Sequence, residues 1–162
     1  MSHAWRVRRL DRGWSTLVNS SGEEVRVRNI GADVAVGDWV TVDTLVARVE
    51  SVAPRRSALV RRASFEGARA VSHVVAANID VVFLLHAAPA GVNPRRLERE
   101  LVLAYDSGAQ PVVLLTKSDA VDQSEIDHQI DVVKSVAPGL AVHAVSSLRN
   151  DTLEVLAPYR GF

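Results

Sequence analysis

Two short polar segments carry the residue types that could do chemistry in this chain. Thr116-Lys117-Ser118-Asp119 directly follows the apolar run PVVLL at 111–115, and Ser146-Ser147 directly follows LAVHAV at 140–145. Polar residues at the carboxyl ends of buried parallel strands stand where open α/β sheets bind ligands. An Asp placed there can accept two hydrogen bonds from the N1–H and N2–H₂ edge of guanine, whereas adenine offers no such donor pair. The aliphatic stem of Lys117 can lie along a purine face, and a backbone N–H near Ser147 can donate to guanine O6. The plainer alternative is an exposed turn followed by a helix cap.

Phosphate chemistry is missing from the same sequence. No Gly-Lys dipeptide occurs, so there is no G-x-x-x-x-G-K-[ST] loop to cradle phosphates. No Asp precedes a Gly by three positions and no G-x-G-x-x-G occurs, which removes a metal-water element and the standard dinucleotide reading. Cysteine is absent, excluding disulfides and thiolate metal sites and making the cytoplasm the expected location. The five histidines stand at 3, 73, 86, 128 and 143, none three to five apart, so no local zinc site is expected. His86 interrupts the longest uncharged apolar run, Val81–Val92, and reads as a buried residue. That run is well short of the ~20 residues of a membrane span. No residue is assigned a catalytic role.

A third cluster is cationic: Arg55, Arg56, Arg61 and Arg62, within PRRSALVRR. Formal charge over the whole chain is zero, but residues 1–72 hold twelve Arg against eight acids, and residues 73–162 hold seven basic residues against eleven acids. The split points to two units with different partners, the basic one suited to nucleic acid. Arg forks onto phosphate oxygens, where Lys acts as a point charge. A solvated linker face is the alternative. Trp5, Trp14 and Trp39 could stack bases, although Trp39, between Asp38 and Val40, is expected in the core.

The elements needed to position these groups fall into two regions. Residues 1–72 read as short strands parted by turns: Trp14–Val18, Val25–Arg28, a third within Val34–Val42, and Val46–Val52. That spacing fits a five-stranded barrel of the OB type. Residues 73–162 read as strand, helix, strand, helix, strand. Val81–Leu85 and Pro111–Leu115 are continuous apolar runs suited to a parallel sheet. Asn93-Pro94 opens a helix whose apolar face is Leu97, Leu101, Ala104 and Tyr105, closed by Gly108. Ser124–Val136 is a second helix, and Thr152–Leu156 begins another. Three strands make half of a doubly wound nucleotide-binding sheet.

In this order and spacing, these segments resemble the N-terminal part of the circularly permuted GTPases of the RsgA/YjeQ type. The resemblance rests on Gly37-Asp38-Trp39-Val40, on Pro54–Arg62, on VAANID at 75–80 and on PRRLERELVLAYDSGAQPVVLLTKSD at 94–119. It implies an OB barrel over 1–72 that binds rRNA of the small ribosomal subunit, with Arg55, Arg56, Arg61 and Arg62 as RNA contacts. It also implies the first half of a GTPase domain over 73–162, with motifs in permuted order and Thr116, Lys117, Asp119, Ser146 and Ser147 at the guanine base. Thr116 departs from the commoner Asn of that motif, leaving guanine selectivity to Asp119.

The implied ligands are GTP or GDP, with magnesium in the intact family member and zinc confined to a C-terminal module that this sequence does not carry. The chain then reads as an N-terminal part of a GTP hydrolase that assists late small-subunit maturation, inactive without a P-loop. The competing reading is a stand-alone RNA-binding OB protein with a non-catalytic α/β half. Exposed strand edges in a half-sheet would allow pairing into a dimer.

Overall fold

Alternation of inward aliphatic residues with outward polar ones builds the first unit. The computed structural model describes residues 5–62, 72–149 and 152–159. Strands β1 (Trp5–Asp11), β2 (Trp14–Val18), β3 (Glu24–Arg28), β4 (Trp39–Asp43) and β5 (Arg48–Val52) close a barrel in the order β1-β2-β3-β5-β4. Each strand contributes a buried aliphatic side chain to the core: Val7, Leu17, Val27, Val40 and Val49. This is the expected OB barrel, closed by a first strand whose alternation the Arg-rich WRVRRLD hides in the sequence.

One core assignment is corrected. Val40 is the inward residue of β4, so the pleat turns its neighbour Trp39 outward. Trp39 is 40% exposed, and the Arg6 guanidinium carbon lies 5.6 Å from its ring centroid. Trp5 packs, partly buried, against the barrel core instead.

The Arg-rich stretch after the barrel forms a hairpin. β6 (Ala58–Arg62) pairs antiparallel with β7 (Ser72–Ala77). The Ala77 N–H donates to the Val36 carbonyl at 2.8 Å, anchoring the hairpin on the β3–β4 connection. Gly37 lies beneath it at φ +91°, and a Cβ there would collide with the Ala77 carbonyl oxygen. Only glycine fits that approach. Asn78 completes the joint, accepting the Arg56 N–H at 2.9 Å and donating to the Gly37 carbonyl at 3.0 Å. Because β7 pairs with β6, the compact units are Met1–Ile79 and Asp80–Phe162, rather than dividing at 72/73.

The second unit is a parallel sheet in the order β10-β9-β8, from β8 (Val81–Ala87), β9 (Gln110–Thr116) and β10 (Ala141–Ala144). Helices α1 (Pro94–Asp106) and α2 (Gln123–Val136) cover one face, burying Leu97, Leu101, Ile126 and Val133 with Val113 and Leu115. The other face, Val112 and Leu114, packs against Val155 and Leu156 of α3 (Thr152–Leu156) and against Tyr159. Asn93 and Asp122 cap the two long helices, each side chain accepting an N–H one turn ahead. His86 is buried in β8, its Nε2 3.0 Å from Glu100 Oε2 of α1.

The barrel's least tolerant charge is Asp38, which is fully buried. Its two carboxylate oxygens accept from Arg55 Nε and Nη2, both at 2.8 Å, and Oδ2 also takes the Ala35 N–H at 2.7 Å. Removing one partner of a buried ion pair strands the other. Arg55→Ala is expected to cost about 3 kcal/mol. Urea unfolding followed by tryptophan fluorescence measures this cleanly, since Trp5, Trp14 and Trp39 all lie in the first unit. A loss under about 1 kcal/mol would mean that Asp38 draws its stabilisation from elsewhere.

Candidate functional site

β9 is the middle strand of the sheet, and its run of buried residues from Pro111 to Leu115 fixes where Thr116 emerges. The Thr116 hydroxyl donates to the His86 carbonyl at 3.3 Å, tying the end of β9 to the end of β8. Lys117 then takes the left-handed conformation, φ 56° and ψ 38°. Such backbone is uncommon outside glycine and clusters at ligand-holding turns. It turns the chain into a single 3₁₀ turn, Ser118–Ala120, leaving Lys117 and Asp119 exposed and Ser118 buried.

The second segment closes against the first. The Ser118 N–H donates to the Val145 carbonyl at 3.2 Å, and the Val145 N–H donates to the Leu115 carbonyl at 2.9 Å. Ser146 is buried and its hydroxyl donates to Asp119 Oδ1. That hydroxyl also accepts the Leu148 N–H at 3.0 Å. Thr152, legible in the sequence only as the start of a helix, fixes Ser146 from behind. Its Oγ1 accepts the Ser146 N–H at 3.1 Å and donates to the Ser146 carbonyl at 2.6 Å. Ser147 is exposed, and no described group accepts its N–H.

Thr116, Lys117, Asp119, Ser146 and Ser147 therefore come together at the carboxyl ends of β9 and β10. The Asp119 carboxyl is held below its ordinary pKa, mainly by the Ser146 hydrogen bond, with its own N–H and the Arg149 charge assisting against partial desolvation. It stands ionised at neutral pH, as an acceptor for two adjacent donors. Among the described residues, no group of three or more His, Asp or Glu side chains could hold a metal ion.

The four arginines meet different fates. Arg55 is 20% exposed at its side chain and engaged with Asp38 and the Asp33 carbonyl. Its first task is to hold the barrel together. Arg56 and Arg61 are exposed on or beside β6, and the Arg62 side chain lies outside the described residues.

A five-stranded barrel followed by a three-stranded parallel sheet matches part of the fold of the circularly permuted GTPases. The crystal structure of YjeQ from Thermotoga maritima matches with a TM-score of 0.74 at 18% identity, covering 98% of this chain and 57% of that one. YloQ, described as a circularly permuted GTPase, matches at 0.70 and 19% identity, covering 98% and 56%. Residues 52–160 match the RsgA GTPase family, and the chain belongs to that family. A small ribosomal subunit biogenesis GTPase RsgA from Streptomyces avermitilis is 37% identical over 169 residues, covering 95% of this chain and 44% of that protein. Its namesake from Xanthomonas euvesicatoria pv. vesicatoria is 39% identical over 127 residues, covering 78% and 34%. The chain thus spans less than half the length of these curated relatives.

The Ser146–Asp119 bond sets a pH dependence. A carboxyl with a lowered folded pKa contributes stability above its unfolded pKa, and that contribution is lost as pH falls through the folded value. Ser146→Ala removes the main cause of the lowering. In that variant the Asp119 titration, followed by carboxyl carbon chemical shift, is expected to move upward toward the ordinary Asp value near ~3.9. An unmoved titration would assign the lowering to Arg149 or the backbone.

Proposed function

We propose that this chain provides the guanine-base pocket and the rRNA-binding barrel of a GTP hydrolase that acts in small-subunit assembly. The observation carrying the reading is the Asp119–Ser146 pair at adjoining strand ends. The carboxylate accepts guanine N1–H and N2–H₂, the Ser147 N–H donates to O6, and Lys117 lies along the base. Adenine would leave the carboxylate without donors and set its own amino group against the Ser147 N–H. Sites built on hydrogen bonds reject such analogues strongly, because buried polar groups go unpaired.

With no Gly-Lys in the sequence and no metal-holding group among the described residues, the pocket residues do not fit magnesium or the triphosphate. The chain's own work is recognition, and GDP and GTP bind it through the same base contacts. The basic first unit presents Arg56 and Arg61 to rRNA phosphates, with a cytoplasmic location following from a ribosomal partner. No helix among the described residues is long and apolar enough to cross a membrane. The outer edges of β8 and β10 are where a further strand, from this protein or from a second copy, would add.

Asp119→Asn tests the pocket. In the 162-residue chain, amide shifts induced by GDP are expected at 116–119 and 146–147, with affinity near millimolar, ~4 kcal/mol, because base contacts act without phosphate contacts. The variant is expected to lose guanine binding by more than tenfold and to gain xanthosine diphosphate, whose extra carbonyl accepts from the new amide. Shifts elsewhere, or equal affinity for adenosine diphosphate, would remove the site from this position.

A further inference from the structure

The outward face of β2, β3 and β5 carries an arrangement that the base pocket does not use. Inward Ser15, Leu17, Val27 and Val49 leave Trp14, Arg26, Arg28 and Arg48 pointing away from the core. Trp14 pairs across the strands with Arg28, and Arg28 pairs in turn with Arg48 at the parallel junction of β3 and β5. The guanidinium carbons of Arg26 and Arg28 lie 5.1 Å and 4.9 Å from the Trp14 ring centroid. Arg26 also has Asp11 at 3.9 Å. Among the described residues, Arg28 and Arg48 have no carboxylate within ion-pair reach.

Like charges directly opposite one another in a sheet are destabilising. Asp43 of β4 stands opposite Arg48 without forming an ion pair, so the Arg28–Arg48 pair is only partly compensated and leaves a demand for an anion. Cation–π contact with Trp14 narrows the freedom of Arg28 and Arg26, so their donors meet a phosphate with less ordering cost. The same contact occupies the indole face, which is then not offered to a base. Trp14, expected from the sequence as a stacking residue, has guanidinium groups over its ring instead of open space.

We propose that this face, centred on Trp14, Arg28 and Arg48, is an RNA-backbone site that grips the phosphates of a base-paired segment and reads no bases. The inference rests on the RNA-binding reading of the barrel and adds the location, the contacting atoms and the sequence-independent mode. Each guanidinium can fork onto two phosphate oxygens, and backbone-only contact suits helical RNA, whose bases are not available for stacking.

The test uses the 162-residue chain with a short RNA duplex, its affinity measured across about 0.05–0.2 M salt. Arg28→Ala with Arg48→Ala is expected to weaken binding on the order of fiftyfold near 0.1 M salt and to lower the log–log salt slope by about two. Arg28→Lys with Arg48→Lys keeps the charges, so the slope returns while the lost forks leave affinity several-fold weak. Trp14→Phe keeps wild-type affinity, and Trp14→Leu loses several-fold with unchanged far-UV circular dichroism. A double Ala variant with wild-type affinity and slope would overturn this site while leaving the barrel an RNA binder. Wild-type chain that binds no RNA would overturn both readings. Poly-L-glutamate binding as tightly as RNA, and lost in the same variant, would assign the face to an acidic protein segment.

Discussion

A carboxylate sealed from water at Asp38 is the constraint around which the first unit is arranged. A buried charge is tolerated only when paired and hydrogen-bonded, and Arg55 meets that requirement from beyond the barrel's last strand. The pairing fixes the chain's exit from β5. With the exit fixed, Ser57 and Asn78 can bond across the base of the β6–β7 hairpin, where Ser57 Oγ donates to the Ile79 carbonyl at 2.6 Å. Gly37 lets the hairpin backbone come close enough for those bonds to form. One desolvated group thus determines the geometry of a joint that hydrophobic packing alone would leave loose.

The second unit solves a different problem with similar means. Its two polar loops lie at the carboxyl ends of β9 and β10. They are held by each other: Ser146 by Thr152 from behind, Asp119 by Ser146, and Ser118 by Val145. Preorganisation of this kind keeps the acceptor oriented before a ligand arrives, and so reduces the ordering cost on binding. The left-handed Lys117 follows the same logic, since a strained residue persists only where its surroundings over-determine it.

Much of this is legible in the sequence, for reasons that differ from place to place. The first polar segment stands out because it follows PVVLL, an aperiodic apolar run that marks a strand buried on both faces, and the second because it follows the strand pattern LAVHAV. The helix cap Asn93 announces itself by residue type and position. Hidden are β1 and β6, where arginines occupy so many positions that a strand reads as a charged linker, and β7, whose partner is β6. Pairing partners settle such cases, and pairing is not a local property. Trp39 is misread for a related reason, since inward and outward phases are indistinguishable until one neighbour, here Val40, is known to face the core. Arg55 cannot be separated from Arg56 without knowing that Asp38 is buried. The Trp14–Arg28–Arg48 face depends on a junction between strands twenty residues apart in sequence.

That junction is also the barrel's thinnest closure. β3 and β5 meet at a single parallel pair, Arg28 with Arg48, supported by the Arg28 N–H bonded to the Ala47 carbonyl at 2.9 Å. The β1–β2, β2–β3 and β4–β5 ladders are longer. Native proteins open locally where few bonds must break, so this seam is the natural site of barrel breathing. Repulsion between the two guanidiniums favours the opened form. A polyanion spanning them would act as a rivet across the gap, binding the closed barrel better than the open one and slowing amide exchange on both flanking strands. The dynamics of the barrel and its occupancy are then two readings of one equilibrium.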